Sequence, residues 1–156
     1  MKSLLVLAAV LAGCSTTPLT TSEVIGKTEI QHDPATSVTS YTGPACDGVV
    51  LRAWKSEGRD VSYMLLVTTS SSSPVSYTRA TDHDGVDLPI EYTNVNVDCS
   101  SSTCKYTEQI GLGVSRQYLE NSTRFGVNFR LYGGGHDELF YFLGDYVTGM
   151  LKATKE

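Results

Sequence analysis

The sequence predicts a mainly β domain: an antiparallel β-sandwich or an open, barrel-like sheet, with one or two short helices, the last at the C-terminus. An α+β arrangement is the alternative. Three observations carry this. Short runs of alternating apolar and polar residues recur between clusters of Gly, Pro, Asp and Ser. One run, residues 61–69, is apolar on both faces, as a central strand is. Near the end, Leu143, Tyr146, Val147, Met150 and Leu151 recur at spacings of three and four, which is a helical stripe.

The chain opens on one positive charge, Lys2, and an apolar run over residues 4–12, then Gly13 and Cys14. A charged start, a short apolar core and a small-residue exit make an export signal. The run falls short of the ~20 residues a bilayer-spanning helix takes. Leu11-Ala12-Gly13-Cys14 resembles the lipobox of bacterial lipoproteins. That resemblance implies thioether lipidation of Cys14, cleavage before it and acylation of the new amine. It divides the chain into a signal peptide (residues 1–13), a lipidated tether (residues 14–22) and a single β-rich periplasmic domain (residues 23–156). Ser15 resembles the residue that follows the cysteine in cargo released to the outer membrane. The expected location is therefore the cell envelope, lipid-anchored on the periplasmic side of the outer membrane. One acyl chain holds reversibly; several on one residue hold essentially for good.

Residues 24–32 read as a first strand, stopped by Asp33-Pro34, and Gly43-Pro44 stops the next stretch. Residues 48–54 form a strand with Val49, Leu51 and Ala53 on one face and Val50, Arg52 and Trp54 on the other. Residues 57–60 turn the chain into the doubly apolar strand, in which Val61, Tyr63, Leu65 and Val67 oppose Met64 and Leu66. Residues 75–81 are a fifth strand. Residues 88–99 and 104–114 are the clearest hairpin, with Thr93, Val95, Val97 and Cys99 on one arm facing Cys104, Tyr106, Ile110, Leu112 and Val114 on the other. Ser115 can cap a short helix to Asn121, with Tyr118 and Leu119 pointing inward. Residues 125–132 form a strand with Val127, Phe129 and Leu131 on one face. Gly133-Gly134-Gly135 turns it, and His136-Asp137-Glu138 opens the next. Residues 145–153 form the closing helix, with Gly149 permitting close approach to the sheet.

Four cysteines stand at 14, 46, 99 and 104. Lipidation of Cys14 leaves an odd number: one bridge and one free thiol, or an intermolecular bond. Export places them in an oxidising compartment. Cys99 and Cys104 flank Ser100-Ser101-Ser102-Thr103, a hairpin turn that brings opposed positions within disulfide reach. A zinc site would need further ligands nearby, and none stands there. Cys46 sits in turn chemistry, as a buried or inert thiol or in a bond to 99 or 104.

The chain is acidic, with net charge −5 and no basic cluster. That argues against nucleic acid and against a polybasic membrane-binding face. The acidic stretch over residues 82–87 lacks the spacing and distal glutamate of a calcium loop and reads as a turn. Glu108 falls on an apolar row. It is either a tuned acid or a structural group: paired with an Arg, turned out by a bulge, or placed at the sheet margin. The three histidines are far apart in sequence, and the glycine run joins strands rather than opening a helix. No metal or cofactor is expected, and no catalytic residue is assigned.

No nucleophile with its base, carboxylate pair or metal triad is apparent. The pattern from Glu108 through Leu151 also resembles small bacterial envelope lipoproteins, a resemblance that brings no activity. The leading expectation is a non-enzymatic accessory or protein-binding domain with an envelope protein as partner and the membrane contacted through Cys14. A small-ligand or glycan-binding module using exposed tyrosines and Trp54 is the alternative. An envelope hydrolase using Glu108 or the acidic turn comes last.

Overall fold

Half of the chain is strand, arranged in two antiparallel sheets that do not close into a barrel. The computed structural model describes residues 17–155. Cys14 and the signal segment lie outside the described residues. The elements in order are α1 (Thr21–Lys27), β1 (Glu29–Asp33), β2 (Val38–Thr42), β3 (Val49–Ser56), β4 (Ser62–Ser71), β5 (Tyr77–Asp82), β6 (Ile90–Asp98), β7 (Lys105–Val114), α2 (Arg116–Asn121), β8 (Val127–Gly133), β9 (His136–Phe142) and α3 (Gly144–Ala153). The large sheet has the order β1-β2-β3-β4-β7-β6, and the small one β5-β8-β9.

Among the described residues three helices form, where one or two were expected. The additional one is α1, and it replaces the first half of the strand expected over residues 24–32. Its cause is local. The Thr20 side chain accepts the backbone N–H of Glu23, and the Glu23 carboxylate accepts that of Thr20, at 2.9 Å for the second bond. This reciprocal cap satisfies two donors that a helix start leaves unpaired. The strand then begins at Glu29. At its end Asp33 accepts the Ala35 backbone N–H and the Thr36 hydroxyl, which closes the turn and holds its carboxyl below the usual range.

β4 is central, between β3 and β7, as its apolar content requires. Tyr63, Leu65 and Val67 are buried, but Met64 and Leu66 are only partly so. The expected cover on both faces is thus complete on one face only. On the outer face Met64 lies across Gly111 of β7, where a Cβ would collide with its sulfur. The cover there comes from the side chains of neighbouring strands.

The inner face of the large sheet contributes Leu51, Leu65 and Leu112 to the core. The small sheet contributes Val127, Phe129 and Leu131, and α3 contributes Tyr146, Val147 and Met150. Phe125 lies before β8 and is 80% exposed, so the strand starts two residues later than its sequence pattern suggests. Along α3, Tyr146, Val147, Met150 and Leu151 are buried as the stripe predicts. Leu143 is the N-cap residue and stays exposed. Asp145 stands in the first turn of α3, where its charge complements the helix dipole without capping it, and its carboxylate accepts the Thr21 hydroxyl of α1 at 3.3 Å. Tyr146 ties α3 to the β2–β3 connection, donating to the Pro44 carbonyl at 2.7 Å and accepting from Leu51 N–H at 3.4 Å.

Candidate functional site

Cys99 and Cys104 are bonded at the tip of the β6–β7 hairpin, with a Cα–Cα distance of 4.1 Å. Below them the pairing runs Val97↔Tyr106, Val95↔Glu108 and Thr93↔Ile110, the register that their opposition demands. Cys46 is buried, it is not bonded to either of these, and no cysteine among the described residues is free. The leftover free thiol is therefore not found.

The hairpin's two arms differ in fate. On β7 Glu108, Ile110 and Leu112 are buried. On β6 every residue after Ile90 is exposed, Val95 at 51% and Val97 at 47%. The apolar row of β6 faces the core side but is not covered. The cause is arithmetic: six strands in one layer oppose three in the other, so edge strand β6 extends past the small sheet. A bulge between Ile90 and Tyr92 ends the regular pairing at its start. Between β6 and the beginning of β5 lies a cleft of about 220 Å³, lined by Ser76, Tyr77, Thr78, Thr93, Val95 and Glu108 among others.

Glu108 forms the floor of this cleft and is 4% exposed. Its two carboxylate oxygens accept the backbone N–H groups of Val75 and Ser76, at 2.8 and 2.9 Å. Neither a partner Arg, nor an outward bulge, nor a margin position accounts for it. The charge is answered by backbone donors, and the group pins the β4–β5 connection to the sheet. Nearby, the Tyr77 hydroxyl donates to Glu138, and burial and that carboxylate push Tyr77 up to about 12.

In the acidic turn, Asp82, His83 and Asp84 bring three ligand-type atoms within 4.8 Å of one another. The turn also uses these side chains internally. One Asp82 oxygen accepts the backbone N–H groups of Asp84 and Val86, both at 2.9 Å, and His83 Nε2 lies 3.2 Å from Asp84. The cluster is a self-capped turn. Its charges also act on Tyr118, which burial, Asp82 and Asp84 raise to about 12. His32, His83 and His136 stand on β1, on this turn and on β9, and no group of potential ligands unites them among the described residues. Gly134 and Gly135, both at positive φ, form the two-residue turn between β8 and β9.

Trp54 is partly buried on the outer face of β3, with the Arg52 guanidinium 5.8 Å from its ring centroid. Tyr41, Tyr63, Tyr77 and Tyr146 are buried. The aromatic residues are thus spread through core and surface, and do not assemble into one face. The exposure of β6 had no signal in the sequence, because alternation marks which side a row faces and not whether a second layer reaches it.

No family model matches the chain, and neither a curated protein sequence nor a solved structure matches it. Among the described residues, no helix is long and apolar enough to cross a membrane.

Proposed function

We propose that this protein is a non-enzymatic accessory lipoprotein of the bacterial envelope. It is anchored through Cys14 at the periplasmic side of the outer membrane, and its domain docks an extended segment of an envelope protein along β6. One observation carries the docking: an edge strand of nine residues presents exposed Val95 and Val97 beside an open cleft. An exposed edge offers unpaired backbone groups for strand addition, and alternate side chains supply selectivity. The engagement of Glu108 by two backbone amides leaves the hydrolase reading without a support. Trp54 under Arg52 gives glycan stacking none either.

Two experiments test it. Cys14→Ser should move the protein from the membrane fraction to the soluble one. Anchoring also makes a chemical demand: the Cys14 sulfur cannot be a thioether and a disulfide at once. Since Cys46 is not free and Cys99 and Cys104 hold each other, the mass of the mature N-terminal peptide is decisive. A lipidated peptide supports the anchor, and a peptide disulfide-linked to Cys46 sinks it. For docking, a photo-crosslinking residue at Val95 or Val97 in intact envelopes should capture one envelope protein, and Val95→Lys should abolish capture at Val97. Crosslinks to a second copy alone, or capture insensitive to the lysine, would overturn this reading.

A further inference from the structure

A groove of about 980 Å³ lies where the β3–β4 hairpin, the end of β7, the start of α2 and the tail of α3 meet. Four cationic side chains converge there from three separate segments: Lys55 and Arg59, Arg116, and Lys155. The chain has only twelve such residues and is acidic overall. Arg116 is held in place. Its Nε donates to Glu120 at 2.7 Å, its Nη1 donates to the Tyr63 hydroxyl at 3.2 Å, and that hydroxyl is 2.9 Å from Thr154 Oγ1. Lys55, Arg59 and Lys155 take part in none of the ion pairs among the described residues.

We propose that this groove binds a multiply charged oxyanion: several phosphate or carboxylate groups on one soluble molecule. Gathered cations of one sign raise the local potential and draw anions. Guanidinium groups match the planar or forked geometry of carboxylate and phosphate oxygens. Two carboxylates, Asp60 and Glu91, also line the groove, with Glu91 lying across Gly113. They repel a ligand of uniform negative charge, so the fit favours anionic groups separated by hydroxyl or amine donors. The groove's position favours a soluble ligand over a lipid headgroup. α1 and α3 run parallel, with Thr21 at Asp145 and Thr28 at Met150. The chain thus enters beside the start of α3 while the groove lies at its end, one helix length or ~15 Å away.

Calorimetric and NMR titration of the full mature chain with fructose 1,6-bisphosphate and with citrate, whose anionic groups are separated by hydroxyl-bearing carbons, at low ionic strength tests this. Saturable one-site binding is expected, weakening as salt rises, with amide shifts centred on Gly113 and Val114. The Lys55→Ala/Arg59→Ala variant, changed at two exposed positions, should bind at least tenfold more weakly. Arg79→Ala, which removes a cation paired elsewhere with Asp87, should bind as the parent does. No saturation with either anion, equal weakening in Arg79→Ala, or binding to phosphatidylglycerol vesicles with none to the soluble anions would overturn the proposal.

Discussion

Gly149 of α3 lies against Val24 of α1, so closely that a Cβ at position 149 would stand 2.6 Å from the valine Cβ. The close approach that the sequence suggests at this glycine is real, but the partner is a helix and not the sheet. Helix propensity favours Ala over Gly by about 1 kcal/mol in a helix interior. Packing opposes it here, since Val24 is branched and the Thr21 carbonyl is also within 3.0 Å of that point. Gly149→Ala should destabilise by about 1–3 kcal/mol. Gly26 of α1 is the control: among the described residues nothing lies within 4 Å of its missing Cβ. Gly26→Ala should stabilise by about 0.5–1 kcal/mol. Urea unfolding midpoints of the two variants should therefore move in opposite directions.

Glu108→Ala should be among the more damaging single changes on β7. It leaves two part-buried backbone donors without their carboxylate partner and removes two bonds to a charged group, for about 1–3 kcal/mol. Glu108→Gln keeps the shape but offers one acceptor oxygen for two N–H groups, so its loss should fall between Ala and the parent. Chemical unfolding gives the order. If Gln and Ala were both harmless, the β4–β5 connection would be held by something else.

Tyr77 and Tyr118 should ionise late. Both are pushed up to about 12, while an unfolded tyrosine titrates near 10. As pH rises above about 10 the unfolded chain loses these protons and the folded one keeps them, so stability is full below that pH and is lost as pH approaches 12. Tyrosinate absorbance should show a late step that loses amplitude in Tyr77→Phe. The same variant should flatten the fall of stability at alkaline pH.

The Cys99–Cys104 bond closes a small ring, and the chain-entropy relation assigns it roughly 2 kcal/mol. Cys99→Ser/Cys104→Ser should lower stability by about that amount or less, because the tip is exposed. Hydrogen exchange should quicken first in β6, which among the described residues pairs with β7 alone, and little in β4.

Most of the sheet was legible in the sequence because the relevant signals are local. The hairpin register followed from two cysteines around a four-residue turn, α2 from Ser115, and α3 from its apolar stripe. α1 had a local signal as well, in Thr20-Thr21-Ser22-Glu23, but β-branched residues around it imitate a strand. The partners of Glu108 had no such signal. Its two donors lie about thirty residues away in a loop and belong to the backbone, which carries no residue identity to read. The cationic groove was equally hidden, since its four charges come from three stretches, none of them basic in itself.

The pairing of β4 with β7, Tyr63 against Val114, fixes the order in which this domain can be finished. A chain delivered N-terminus first presents β1 to β4 as a meander while the inner neighbour of β4 has yet to arrive. Until then Leu65, Leu66 and Val67 sit on an unpaired edge, which is the arrangement that invites intermolecular β-pairing. Completion waits longer still, because the tyrosine that bonds Pro44 and Leu51 arrives only in the last helix. Closure at such sequence separation is slow. Chains cut short before Tyr146 should therefore be lost to aggregation or proteolysis and not accumulate as a smaller folded form.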